Sequence, residues 1–496
     1  MTEQTQQNQA PEFEVGQLVE VTPERAAHGG AFVARVDGRV VFVRHGLVGE
    51  TATARITGRG PKGRFFFADV VNVDVPAIAR RPHPWSAADS LAHAHPLGGM
   101  EYGHIVPTVQ RRYKKQVVAE QLARLGGVPA EHPMLTDLPI HALPEAPGAT
   151  GEGLNWRTRA HFTVERATGK IAMFPHNSGT PVPVDSFPLV DSRIESLGLG
   201  ELTFTGVKRL DVAVSATDML ALVFTVPASQ NMVEVADAVE ATCQEAWGNI
   251  EDRLITLIFT AEKQAGRRRG AKPADIVRGA GNAALLETAT VYAQDFYWNV
   301  AANGFWQIHR FAPEILGNAV LDMARLRKGQ TVYDLYSGAG LFTAIAADAV
   351  GDRGTVLSVE GSPLTSKNAA DNFAEDGPSR THRSERTTVR VERGDVSRVL
   401  TGVTAEVKAG RFSAPDVVIA DPSREGCGKA VMQQIADLNP PTVVYVACDP
   451  AALGRDTAYL RASGYRLMRV EAFDMYPNTH HVETLAVFTK YSGSQR

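Results

Sequence analysis

Cysteine is scarce in this chain: Cys243, Cys427 and Cys448 are the only three in 496 residues. So few and so scattered, they exclude a disulfide framework, which fits a reducing compartment and makes each thiol a candidate for chemistry. Long apolar runs are missing too, and no stretch approaches the roughly 20 residues that a membrane span needs. There is no basic excess. Lys and Arg number 51 against 55 Asp and Glu, a net charge of −4, so any nucleic-acid role has to rest on local patches. The Gln-rich start, Met1 to Glu14, lacks a basic head followed by an apolar core and does not read as a secretory signal. The expected location is the cytoplasm, with no membrane partner.

What is present is ordinary globular composition, 44% apolar and 21% charged, in a length that suggests about three domains. Residues 1–13 read as a disordered tail. Residues 14–75 are a train of short strands: Leu18 to Val21, Ala31 to Val36, Val40 to Arg44, Thr51 to Ile56 and Phe65 to Val71. They are rich in β-branched and aromatic residues, and Asp37-Gly38 is a two-residue hairpin signal. Five strands in so short a span predict a small barrel of the oligonucleotide-binding kind. Its Arg35, Arg39, Arg44, Arg55, Arg59, Lys62 and Arg64 serve either an RNA partner or mere solubility.

Residues 76–290 form the expected central α/β domain. It opens on a Pro/Arg-rich linker, Ala77 to Pro84, and a basic helix between Tyr102 and Gly127 that carries Arg111, Arg112, Lys114 and Lys115. Strands and helices then alternate. Arg267-Arg268-Arg269, flanked by Gly266 and Gly270, is either a solvated loop or a phosphate-facing one.

Residues 291–496 are the most informative. Thr331 to Tyr336, Thr355 to Glu360, Asp416 to Asp421 and Thr442 to Cys448 are short apolar runs, each leading into a helical stretch. This predicts an α/β fold with a doubly wound parallel sheet, whose ligands bind at the carboxyl ends of the strands. The first run enters Tyr336-Ser337-Gly338-Ala339-Gly340, a turn whose glycines let backbone approach a ligand at a helix start. Glu360 ends the next strand about 20 residues later, where an acid can accept hydrogen bonds from a ribose diol, and Asp395, in Arg393-Gly394-Asp395, can bind an adenine amine. The order from Asp334 through Gly338 and Gly340 to Glu360 and Asp395 resembles the S-adenosylmethionine site of class I methyltransferases. A dinucleotide dehydrogenase is the runner-up. Thr343 stands where its third glycine belongs.

Cys448 sits in Ala447-Cys448-Asp449-Pro450, between a strand end and a helix start. A helix N-terminus is expected to lower the thiol pKa, with Asp449 as cap and Pro450 in the first turn; a small core residue is the alternative. Asp421-Pro422-Ser423-Arg424 places a carboxylate that can hydrogen-bond a planar base or merely cap a helix. Cys427 reads as structural or incidental. Glu483, after Asn478-Thr479-His480-His481-Val482, begins a last strand near the same edge. His480-His481 has no further ligands at metal spacing, so no metal is expected.

Together these motifs resemble the RNA uracil-5 methyltransferases that carry an N-terminal TRAM domain, and the resemblance spans nearly the whole chain. It implies a TRAM-type barrel and a Rossmann-like methyltransferase sheet. S-adenosylmethionine is the implied cofactor, and structured RNA, ribosomal or transfer, the partner, with no DNA. It implies Cys448 as the nucleophile that attacks C6 of uracil, Glu483 as the base for the C5 proton and Asp421 as a carboxylate that holds the site. It also implies Gln307, in Phe305-Trp306-Gln307-Ile308-His309, as a contact to the methyl donor, beside Asp334, Tyr336, Ser337, Gly338, Gly340, Glu360, Asp395 and Asp421. The barrel tilts the expected target toward ribosomal RNA.

The chain departs from the family at Ala447 and Asp449 (family Ser and Asn), at Ser423 (family Pro) and at His309 (family Asn). Many TRAM-bearing members hold a four-iron four-sulfur cluster on cysteines after the barrel. The matching stretch, His95 to His104, has none, so no iron–sulfur cluster is expected. His83, His93, His95 and His104 leave a minor zinc alternative. Two other readings stay open. An exocyclic-amine methyltransferase would want an aromatic residue where Arg424 stands and would have no use for Cys448. The other is an RNA-binding factor that has lost catalysis.

Overall fold

The computed structural model describes residues 12–145, 151–176, 178–262, 274–279, 283–380 and 387–491, so Arg267 to Arg269 lie outside the described residues. The chain divides into two compact units. The first runs to Val117 and includes Phe174–Thr180 and Tyr476–His481; the second holds the remainder.

The first unit is built on six strands: β1 (Leu18–Val21), β2 (Arg25–Ala26), β3 (Phe32–Val36), β4 (Arg39–Arg44), β5 (Thr51–Arg59) and β6 (Phe65–Val75). They form one sheet in the order β1-β5-β6-β4-β3-β2. The sequence reading expects five strands. The sixth, β2, has only two residues, too few to show alternation, and exists because Ala26 pairs with Phe32. Asp37 and Gly38 both take positive φ, 46° and 79°, as a two-residue hairpin requires. The inward set Val19, Val21, Val41, Val43, Ile56, Phe66 and Val70 forms the barrel core. Each such side chain contributes roughly 1.5–3 kcal/mol of transfer free energy. The expected basic helix is Pro107–Arg124, and it is not uniformly a surface feature. Lys114 is buried, and its Nζ donates to the Tyr476 carbonyl (2.9 Å) rather than facing a phosphate.

The second unit contains two large sheets. Strand β7 (Ile140–Ala142) belongs to the second of them. The first sheet comprises β8 (Arg159–Val164), β9 (Ile171–Met173), β10 (Val182–Pro183), β11 (Arg209–Val214), β12 (Leu220–Val226), β13 (Ile255–Ala261) and β14 (Ile276–Gly279). The order is β10-β9-β8-β11-β12-β13-β14, and only β12 and β13 run parallel, joined by the helix Met232–Trp247. A hairpin follows, β15 (Ala284–Val291) and β16 (Gln294–Ala301), so the boundary expected at 290/291 falls inside β15.

The second sheet adds β17 (Thr331–Leu335), β18 (Thr355–Glu360), β19 (Thr388–Arg393), β20 (Val417–Ala420), β21 (Thr442–Ala447), β22 (Tyr465–Asp474) and β23 (Glu483–Lys490). Its order is β19-β18-β17-β20-β21-β23-β22-β7. The first five strands are parallel, and each crossover carries a helix: Leu341–Val350, Pro363–Asn372, Val396–Lys408 and Gly428–Leu438. The order turns back at β17, and the crevice beyond β17 and β20 is the switch point where such sheets bind ligands. Strand β23 alone is antiparallel to both neighbours, so its first residue arrives where the parallel strands end. No helix among the described residues is long and apolar enough to cross a membrane.

Candidate active site

The turn after β17 is shaped by backbone that most residues avoid. Tyr336, Gly338 and Gly340 all have positive φ (63°, 57° and 97°). At Gly340 an added Cβ would lie 2.5 Å from the Phe373 ring, so glycine is required for space as well as for conformation. The turn is braced from several sides. Trp298 Nε1 donates to the Gly340 carbonyl (3.1 Å) and Asn372 Nδ2 to the Ala339 carbonyl (3.1 Å). Ser358 Oγ donates to Ser337 Oγ (2.8 Å), and the Gly338 amide donates to Glu360 Oε2 (2.9 Å).

Beyond this turn lies an open pocket. Its lining brings together five of the expected residues: Gln307, Tyr336, Ser337, Gly338 and Asp421. Phe305, Trp306, Ala339, Leu341 and Phe342 complete the wall. A glycine turn, amide donors at a helix start, apolar walls and a neighbouring Glu360 carboxylate fit an adenosyl sulfonium compound.

Four expected cofactor residues do not line this pocket. Gly340 shapes the turn, and Glu360 is bonded to it through Gly338. Asp334 is wholly buried beneath the turn, where Oδ2 accepts from Thr343 Oγ1 (2.5 Å) and burial pushes its pKa up to about 7. Asp395 is exposed and caps the helix Val396–Lys408 by accepting the Arg398 amide (3.1 Å).

The residues expected to carry chemistry converge by register. Ala447 of β21 pairs with Thr484 of β23, so the antiparallel step beyond them sets Cys448 opposite Glu483. On the other side of β21 the parallel strand β20 ends just before Asp421. Gln307 Nε2 donates to Asp421 Oδ2 (3.4 Å). Asp449 caps the next helix through the Ala452 amide (2.8 Å), with Pro450 in its first turn. Burial, then the charges of Glu483 and Asp334, hold the Asp421 carboxyl well above the usual carboxylate range.

The thiol corrects one expectation. The Cys448 pKa is not lowered by the helix. Burial first, then the Glu483 and Asp421 carboxyls, push it up to about 12, with Arg424 the opposing influence. Cys448 precedes the cap, and the nearest amide donation is spent on Asp449. A thiol flanked by a buried carboxylic acid and Glu483 can add to an electron-poor carbon and exchange protons, but it does not rest as thiolate.

Two residues that sequence reading missed support this geometry. Asp456, buried on the helix Pro450–Ala462, accepts from Tyr445 OH (2.6 Å) and from the amides of Cys427 (2.7 Å) and Gly428 (3.1 Å). It thereby ties the loop after Asp421 to the strand that ends before Cys448. Arg159 donates to the carbonyls of Ala301 and Gly304 (both 2.9 Å) and to Glu287 Oε1 (3.0 Å), fixing the turn ahead of Gln307. Neither carries a local motif; both lie in elements with other obvious duties.

The stretch His95 to His104 contains no thiol. Glu101 Oε1 accepts from the Gly99 amide (2.8 Å), while His83 and His104 donate to the carbonyls of Met100 and Gly46 (3.0 Å each). These donors do not fit a thiolate-bound iron–sulfur cluster. Among the described residues no three His, Cys, Asp or Glu converge as metal ligands.

The raised thiol pKa predicts that iodoacetamide alkylates Cys448 about tenfold faster per pH unit from pH 7 to beyond 9, followed by peptide mass spectrometry. A plateau near pH 8 would contradict it. Glu483→Gln removes a negative neighbour and should speed alkylation severalfold at pH 8. At the turn, Gly340→Ala should cost roughly 1–3 kcal/mol in a denaturant melt and weaken S-adenosylmethionine binding in calorimetry; native-like values for both would show that the turn relaxes without loss.

Residues 150–491 match the family described as tRNA (Uracil-5-)-methyltransferase, and residues 12–67 match the TRAM domain. An uncharacterized RNA methyltransferase of Streptomyces avermitilis is 32% identical over 478 residues, covering 95% of this chain and 98% of that one. A 23S rRNA (uracil(1939)-C(5))-methyltransferase of Psychrobacter arcticus is 26% identical, covering 94% and 88%. Among solved structures, the Pyrococcus abyssi tRNA (uracil-54, C5)-methyltransferase in complex with S-adenosyl-L-homocysteine shares the fold. Its TM-score is 0.64 at 15% identity, covering 95% of this chain and 99% of that one. With a family match over more than half its length and full-length relatives above 30% identity, the chain belongs to the S-adenosylmethionine-dependent RNA (uracil-5-)-methyltransferase family, with a TRAM domain ahead of the catalytic fold.

Proposed function

We propose that this enzyme methylates C5 of a specific uridine in ribosomal RNA through a transient covalent bond between Cys448 and C6. The observation that carries the reading is the register that sets Cys448 opposite Glu483 at the pocket end of the sheet. C5 of uracil is a poor nucleophile. Addition of the Cys448 sulfur at C6, with loss of the thiol proton, moves the C5–C6 electron pair into an enolate, which makes C5 reactive. When bound, S-adenosylmethionine supplies an electrophilic methyl carbon and a positive sulfonium whose charge opposes that of the surrounding carboxyls.

Once C5 has accepted the methyl group, Glu483 removes the C5 proton, the C5–C6 double bond reforms, and the Cys448 sulfur leaves. Burial and the charge of Glu483 favour the protonated form of Asp421, which in that form can donate a hydrogen bond to the uracil edge while accepting one from Gln307. The target base has to leave its stack to reach the site, which favours a loop or a flipped nucleotide. Ribosomal RNA is favoured by the barrel and by the rRNA-directed relative, which aligns nearly end to end. The tRNA-directed structure shares only the fold at its level of identity.

RNA carrying 5-fluorouridine has no C5 proton to lose. Incubation with S-adenosylmethionine should therefore leave a covalent protein–RNA band that withstands denaturation. Ribosomal RNA should give it and transfer RNA should not; the reverse would move the target to transfer RNA, and no band with either would end the covalent reading. Cys448→Ala should abolish turnover while calorimetric binding of S-adenosylmethionine stays intact. With unmodified RNA, Glu483→Gln should accumulate the adduct, and normal turnover would remove Glu483 from the role of base.

A further inference from the structure

The barrel carries a feature that the methyl-transfer site does not use. On the outer face of its sheet, Val40 pairs with Phe65 and Phe42 with Phe67 across the parallel strands β4 and β6. The three phenylalanine rings meet there, with centroids 5.4 Å apart for Phe42–Phe65 and for Phe65–Phe67, and 6.0 Å for Phe42–Phe67. They face away from the core formed by Val41, Val43, Phe66 and Ala68. Phe67 is 43% exposed, a large apolar ring left in water on a small β module. Phe42 and Phe65 are half-buried; on the neighbouring strand Gly58 pairs with Phe67 and places no side chain beside it, and the chain packs so closely at Gly60 that a Cβ there would lie 2.3 Å from the Phe65 ring.

Cations surround this patch. Arg35 lies in register with Val40 on one side, Arg55 with Asp69 on the other, and Lys62 and Arg64 lie in the loop before β6. All four are exposed, and none has a carboxylate partner among the described residues. The carboxylates nearby are already engaged, Asp69 by Arg44 (2.5 and 2.7 Å) and Glu12 by Arg59 (2.9 Å). An exposed ring and two half-buried ones, flanked by unengaged cations, suit unstacked bases whose phosphates pass at the edges.

We propose that Phe42, Phe65 and Phe67 form a stacking platform for a single-stranded segment of the RNA substrate, its phosphates held by Arg35, Arg55, Lys62 and Arg64. The proposal rests on the reading that the substrate is RNA, and it adds where unpaired nucleotides dock and by which contacts. Such a platform tolerates sequence, since every base has a π-face, and discriminates against duplex, whose bases are already stacked.

The test uses the full-length protein and two probes, a fluorescein-labelled 12-nucleotide oligouridylate and a 12-base-pair RNA duplex, read by anisotropy. Phe67→Ala should weaken oligouridylate binding on the order of tenfold and leave duplex binding unchanged, and Phe67→Trp should restore it. Lys62→Ala with Arg64→Ala should reduce the salt dependence of oligouridylate binding by about 0.7 per cation removed. Phe67 is exposed, so its variants should melt like the parent; if Phe67→Ala does not, the Trp variant and the charge pair decide the matter.

Three results would overturn the platform: unchanged oligouridylate binding in Phe67→Ala, equal loss for duplex, or a changed oligomeric state in light scattering, which would make the patch a self-association face. Methylation of RNA by the parent protein is measured alongside. If it is absent while the oligouridylate results hold, the enzymatic reading fails and the platform stands.

Discussion

One antiparallel strand determines what this sheet can do. In a purely parallel sheet every strand delivers its last residue to the ligand edge and its first to the opposite edge. Here β23 runs against both neighbours and delivers its first residue, Glu483, to the edge where β17, β18, β20 and β21 end. A side-chain period of two makes this strict, because a slip of one residue would turn Glu483 to the other face. The pairing is secured along its length, from Thr442 with Thr489 to Ala447 with Thr484.

That convergence has an electrostatic consequence. Glu483, Asp334 and Glu360 each act on the buried Asp421 by repulsion, and Glu483 and Asp421 act in the same way on Cys448. Mutual repulsion and burial favour proton retention on both Asp421 and Cys448. The proposed chemistry needs the thiol proton to leave only when a bonding partner for sulfur is present. Under that proposal a high resting pKa would tie the sulfur's activation to the arrival of positive charge and substrate.

Geometry of this kind needs supports that take no part in the reaction. Asp456 satisfies three donors at once, two of them amides at the start of the helix Gly428–Leu438. Arg159 does the converse, placing its guanidinium among the backbone carbonyls of Ala301, Ala302 and Gly304. Buried polar groups are costly when unmatched, so each of these clusters holds its loop in one arrangement.

Much of this was legible in residue order, and the reason is locality. The strand–turn–helix at Gly338 and Gly340, the Asp37-Gly38 hairpin, the capped helix after Cys448 and the strand beginning at Glu483 each depend on neighbours a few positions apart. The hairpin between β15 and β16 escaped because Tyr292 and Ala293 take positive φ (47° and 64°) without any glycine, held there by eight paired positions. Asp334 and Asp395 were legible as acids near strand ends, while the bonds they make, to Thr343 Oγ1 and to the Arg398 amide, appear only in the structure. The chain order alone therefore determined the fold class, the strand ends and the chemical groups available. Only the tertiary structure decided the thiol's protonation, the braces at Asp456 and Arg159 and the Phe42, Phe65 and Phe67 cluster, because charge repulsion, burial and ring contact act through space between residues that the sequence keeps far apart.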